Sequence, residues 1–289
     1  MKILEESGEE NNHLDWQSVL DICASSQEFE RSFGEFTTHN AVEYLAFSNK
    51  NINSLANTTN YIRENARMIR DTIPHELWEE WNDFYWFLQQ EKLDHHFLYR
   101  DMYYFLQRIK TTVMTATGII HTSMPRNLPY HFMKIGKWLE RAEKTARIMQ
   151  VLLQRVKTIG PEHFNEKEGK FALQLVNGYE DFSRKYRLQD TDRIFQFLLT
   201  DRTFPRSVLY CMEHVKKVIM EIEREKVAHY SWEMFVALDD IIILLNSVNM
   251  QQLNFHETET FIDAIVEKCI KFGKVFSETY YLVEAVVNE

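Results

Sequence analysis

The chain has 289 residues with only 8 glycines and 5 prolines, and its 43 acidic against 33 basic side chains give a formal net charge of -10. Scarce turn residues exclude a many-stranded fold and leave long helices. The negative balance excludes non-specific nucleic-acid binding, which is driven by phosphate neutralisation.

After an acidic, flexible start over 1–12, apolar periodicity predicts one helical domain over 13–289. Helices are expected near 14–24, 38–47 and 54–72, then 75–90 and 94–117. In the helix over 54–72, Leu55, Thr59, Ile62, Ala66 and Ile69 form the seam, and Arg63, Arg67 and Arg70 line one flank. In the next helix Trp78, Trp81, Tyr85 and Leu88 recur at helical spacing, which favours core packing over a base-stacking platform. GIIHTSMPRNLP, over 118–129, reads as a linker.

A long helix follows over 130–156, with Phe132, Ile135, Leu139, Ala142, Ala146, Met149 and Leu153 as its seam. At about 100 degrees per residue, Gly136, Glu140, Glu143 and Arg147 fall on the boundary between core and solvent. The same arithmetic points Lys137, Arg141 and Lys144 outward. Beyond a second linker over 157–169, helices are expected near 170–186, 190–199, 206–224, 231–246 and 257–284.

Segment YLAFSNKNINSLANTTNYI, over 44–62, lies against FLLTDRTFPRSVLYCMEHV, over 197–215, with Ser54 and Ser207 standing 153 residues apart. The match predicts a multi-helix bundle of two pseudo-repeats, about 13–118 and 128–289. The long helix over 130–156 then has no counterpart in the first repeat, so the expectation is a first repeat lacking its N-terminal helix. That leaves an apolar groove open to a partner, an N-terminal extension or a second copy in a homodimer.

Metal and catalytic chemistry finds little footing. The one Glu-x-x-His spacing, Glu10 to His13, lies in the polar start, and His95 and His96 point about 100 degrees apart on a helix. His131 and His214 read as hydrogen-bonded boundary histidines. P-loop, Gly-x-Gly-x-x-Gly and Gly-x-Ser-x-Gly motifs are absent, and Cys23, Cys211 and Cys269 are too dispersed for a disulfide framework or a zinc site. No metal and no cofactor are expected. The opening MKILEESGEENN lacks a signal-peptide layout, and no apolar run approaches the ~20 residues of a membrane span, so the expectation is a soluble cytoplasmic protein that engages neither membrane nor nucleic acid.

The candidate binding residues are Arg63, Arg67, Arg70, Glu140, Glu143 and Arg147. Read structurally, Glu143 with Arg147 and Glu140 with Lys144 are local i,i+4 pairs of about 0.3–0.5 kcal/mol each. Read functionally, three arginines exceed what such pairing needs and offer bidentate donors to a carboxylate or phosphate.

Three separated pieces, FMKIGKWLERAEKTARIM, IRENARMIRDTIPHELWEEWNDFY and FQFLLTDRTFPRSVLYC, together resemble the alpha-E domain family of bacterial proteins, from about Trp16 to the C-terminus. The resemblance places a Leu-Glu-Arg-Ala-Glu motif on Leu139 to Glu143, an Arg-Glu-Asn-Ala-Arg motif on Arg63 to Arg67 and a Pro-Arg-Ser motif on Pro205 to Ser207. It implies an all-helical fold encoded beside circularly permuted ATP-grasp ligase-like proteins, often with a transglutaminase-like protein. The implied role is accessory, in peptide synthesis, modification or turnover, with a peptide or carboxylate as ligand. The alternatives are an amide-chemistry enzyme using Glu140 or Glu143 as general base, and a purely structural dimerising protein. Lys137 stands where the family commonly has arginine, and Gln150 where aspartate is common.

Overall fold

A computed structural model describes residues 16–93, 99–160, 166–186 and 190–280. Among them are thirteen α-helices and no strand. The chain divides into two compact units at Tyr130 and His131.

The first unit holds α1 (Trp16–Ile22), α2 (Ser26–Phe33), α3 (Thr38–Ala46), α4 (Leu55–Met68), α5 (His75–Leu93) and α6 (Tyr99–Ser123). Local chemistry sets the starts: the Thr37 hydroxyl accepts from the Asn40 N–H, and the Ser54 hydroxyl from that of Asn57, each satisfying a donor the first turn leaves over. Leu20, Phe29, Ala41 and Tyr44 form one core cluster. Ala46, Phe47, Ala56, Phe84, Leu88 and Phe105 form another between the end of α3 and α4, α5 and α6.

The second unit contains most of α7 (Leu128–Ile159), then α8 (Glu166–Leu175), α9 (Tyr179–Lys185), α10 (Thr191–Thr200), α11 (Val208–Ile222), α12 (Trp232–Ser247) and α13 (Phe255–Thr279). Its core runs through Ile135, Ala142, Met149, Phe195, Leu198, Val215, Leu238 and Ile265. An Asn254–Glu257 capping box opens α13.

Four landmarks of the first unit recur 153 residues later in the second. Left-handed Ala24 (φ 54°) matches Asn177 (φ 56°), and the helix starts at Ser25, Thr37 and Ser54 match those at Gly178, Asp190 and Ser207.

Several boundaries differ from expectation. The linker read over 118–129 is helical to Ser123: one exposed glycine, Gly118, costs a helix about 1 kcal/mol against alanine, too little to end it. The helix expected over 170–186 is two, broken at Asn177, and α2 was not anticipated because Phe29 is its one buried residue. The helix expected over 54–72 ends at Met68 and passes into a 3₁₀ turn, Arg70–Thr72. The expected acidic start, His95 and His96, and the Glu10–His13 pair lie outside the described residues. No described helix is long and apolar enough to cross a membrane.

Candidate functional site

The six residues singled out from sequence fall in different units. Arg63 donates from Nε to Asn82 Oδ1 at 2.9 Å and from Nη1 to Glu64 Oε1 at 2.8 Å, and its guanidinium lies 4.7 Å from the Tyr85 ring centre. Arg67 donates from Nε to the other Glu64 oxygen at 2.9 Å. Arg70 stands 5.5 Å from the Trp78 ring centre. Glu64 therefore joins Arg63 and Arg67, and Arg63 fastens α4 to α5 through Asn82, Tyr85 and Trp78. The same contacts correct the expected packing of Trp78 and Tyr85: both are half-buried against arginine, while the fully enclosed aromatic of α5 is Phe84.

In the second unit Arg147 Nε donates to Glu143 Oε1 at 2.8 Å, with both side chains about three-quarters buried or more. Glu140 is exposed, its carboxylate 3.7 Å from Lys144 Nζ. Gln150 donates to Asp263 Oδ1 at 2.7 Å. An aspartate at 150 would set two carboxylates face to face, so the amide suits this chain's partner.

The outward row read on α7 is corrected by the structure. Besides the predicted seam, α7 buries a second face through Trp138, Thr145, Ile148 and Leu152. Arg141 lies between Trp138 and Thr145 on that face, with Lys137 at its edge, so both are half-buried whereas Glu140 is exposed. Gly136 has open space around its Cα; the close approach is made by Gly273 of α13, where an added Cβ would stand 3.4 Å from Leu139 Cδ2.

Above this face stands the turn between α10 and α11. Asp201 builds it, accepting from the Thr203 N–H, the Thr203 hydroxyl and the Phe204 N–H at 2.8–2.9 Å and from Lys185 Nζ at 2.5 Å. Burial would push the Asp201 carboxyl up, but the Lys185 and Thr203 donors outweigh it and hold it below its ordinary value. The Ser207 hydroxyl caps α11 by accepting from the Tyr210 N–H. Thr145 then pins the turn to α7, donating from its hydroxyl to the Arg206 carbonyl at 2.8 Å. Arg206 is thereby held one helical turn from Arg141.

Lys137 and Arg141 flank Trp138, Arg206 lies near enough to Arg141 to be repelled by it, and all three cations act on Cys211. Lys137 Nζ lies 4.4 Å and Arg141 Cζ 5.0 Å from its ring centre; Tyr210 meets the indole edge-on, and His214 stacks on Tyr210 with ring centres 3.9 Å apart. Among the described residues none of the three cations forms an ion pair with a carboxylate. Burial, then Arg141 and Lys134, hold Lys137 below the ordinary ammonium range; burial, then Arg141, depress Arg206. Cys211, the neighbouring acid, offers no countercharge at neutral pH because burial pushes its thiol up to about 12 despite the three cations. Trp138 is 8 % exposed, and its buried Nε1–H has no acceptor among the described residues. The cluster is rich in donors and lacks an acceptor, a combination that suits an anion.

Sequence reasoning passed over this cluster because it treated α7 as having one buried seam. The available signal was the second apolar row, Trp138 to Leu152. Among the described residues no group of His, Cys, Asp and Glu could hold a metal ion. A family model described as a predicted alpha-helical domain with a conserved ER motif matches residues 2–281. No curated protein and no solved structure matches the chain.

Proposed function

The chain belongs to the Alpha-E family, and from that premise we propose that it is an accessory binding protein acting with an ATP-grasp amide ligase in the synthesis, modification or turnover of a peptide. The observation that carries the binding role is the gathering of Lys137, Arg141 and Arg206 beside Trp138 and Cys211, with no carboxylate paired to them among the described residues. Half-buried cations that repel one another cost folding stability, and a bound anion offsets that cost. The ligase partnership, and that with a transglutaminase-like protein, rests on the resemblance of the three motifs.

In this reading Arg63, Arg67 and Arg70 shape the first unit through Glu64, Asn82 and Trp78, and Glu143 with Arg147 steadies α7. The anion comes to Arg141 and Arg206. The test is co-purification of the full chain with a circularly permuted ATP-grasp ligase-like protein. Capture should be lost in an Arg141→Gln, Arg206→Gln variant that keeps its helicity and melting temperature. Turnover of a peptide by the purified protein alone, abolished by Glu140→Gln, would overturn the proposal.

A further inference from the structure

Resting on the reading that the Lys137–Arg141–Arg206 cluster binds an anion, we infer that its occupant is a phosphate group, free or as a phosphomonoester, and not a lone carboxylate. Charge is the first argument. Three cations gather with no carboxylate paired to them among the described residues, and Cys211 is neutral. A carboxylate supplies one negative charge, whereas a phosphomonoester supplies about 1.5–2 at pH 7, closer to what the cluster lacks.

Geometry is the second. The donors come from two elements: Lys137, Arg141 and Trp138 from α7, and Arg206 from the turn that Thr145 holds against it. A carboxylate presents two oxygens in one plane and is matched best by a single guanidinium fork. A phosphate presents three terminal oxygens in three directions, so it accepts from two forks and an ammonium at once. The mixed donor set fits this, with lysine acting as a point charge beside two arginines. Arg206 also immediately precedes the N-cap Ser207 of α11, a helix of 15 residues whose N-terminal dipole adds positive potential on the same side.

The indole supplies an independent mark. The Trp138 Nε1–H is buried and has no partner among the described residues, although its ring adjoins the cluster. A buried donor without an acceptor costs stability, so the indole marks this face as one short of acceptors.

The test is titration calorimetry on the full chain at constant ionic strength, with three ligands in parallel: inorganic phosphate, phenyl phosphate and acetate. Phosphate or phenyl phosphate should bind at least about tenfold more tightly than acetate, and Arg141→Gln or Arg206→Gln should each weaken that binding by about tenfold or more with helicity unchanged. A preference for phenyl phosphate identifies an ester as the source, and a preference for inorganic phosphate identifies the free ion. Acetate binding as tightly as phosphate, and lost in the same variants, would overturn the phosphate inference while leaving the anion-binding reading intact. Binding of none of the three, or binding indifferent to both variants, would overturn both.

Discussion

Thr145→Val deletes one hydroxyl while nearly preserving volume and branching, so it isolates the link between α7 and the turn that carries Arg206. Thr145 is 2 % exposed, and its hydroxyl lies 2.8 Å from the Arg206 carbonyl. Removing the donor forfeits a hydrogen bond of about 1 kcal/mol and leaves a part-buried carbonyl short of a partner, for a total of about 1–3 kcal/mol. For a cooperative unit of this size that lowers Tm by about 2–10 °C. Thermal unfolding followed by far-ultraviolet circular dichroism measures the shift. Thr145→Ser keeps the hydroxyl and gives up a buried methyl, about 0.8 kcal/mol. The two variants separate on anion binding: serine should retain phosphate affinity, and valine should lose it as Arg206 comes away from Arg141. A valine variant that melts with wild type and binds phosphate unchanged would refute the idea that this bond positions the cluster.

Three more outcomes follow from individual contacts. Glu143→Gln should cost about 1–2 kcal/mol in urea unfolding because Arg147 is left half-buried without its carboxylate, whereas Glu140→Gln should stay within about 0.5 kcal/mol at its exposed site. Gly178→Ala should cost about 1–3 kcal/mol, since the new Cβ would lie 2.8 Å from the Phe204 ring, and adding Phe204→Leu should recover part of the loss in the same melting assay. Asp201→Asn should be least costly in acid: a carboxyl held below its ordinary value of 3.8 contributes above about pH 4 and ceases to contribute as pH falls through its folded value, so the wild-type advantage in urea midpoint should shrink there. A gap that stays constant from neutral pH to pH 3 would mean that the Asp201 charge adds nothing.

The helices were legible because each buries a stripe set by the helical period, and two of their starts because Ser54 and Ser207 carry side-chain acceptors that cap. Breaks that depend on backbone conformation were less so. Asn177 and Ala24 adopt positive φ, which asparagine tolerates and alanine does so only where its surroundings impose it. The cluster was obscured by a different limit. One helix viewed alone has an inside and an outside, but α7 is covered on two faces, and which charged residues lie between those faces depends on where the turn of α11 comes to rest. Pro205–Arg206–Ser207 and Leu139–Glu140–Arg141 were visible as separate pieces; only Thr145, reaching the Arg206 carbonyl, shows that they adjoin.

The turn that holds Arg206 can be set beside one in the first unit that starts its helix with the same capping chemistry. The Ser48 hydroxyl accepts from the Lys50 N–H, as Asp201 accepts from that of Thr203, and Ser54 caps α4 as Ser207 caps α11, each pair 153 residues apart. In that register Arg206 corresponds to Asn53, an exposed residue whose N–H is taken up by the Asn51 side chain. The first turn therefore closes and starts its helix with no cation at this position. The second carries a half-buried guanidinium beside Arg141, where burial and like charge both work against its ionised form. A residue that burdens the fold at a place where a neutral one suffices is what the proposed anion site calls for. Arg206→Asn, which installs the first unit's own residue, should accordingly match or exceed wild-type Tm while weakening phosphate binding. A variant that loses stability and binding together would show that Arg206 serves the fold instead.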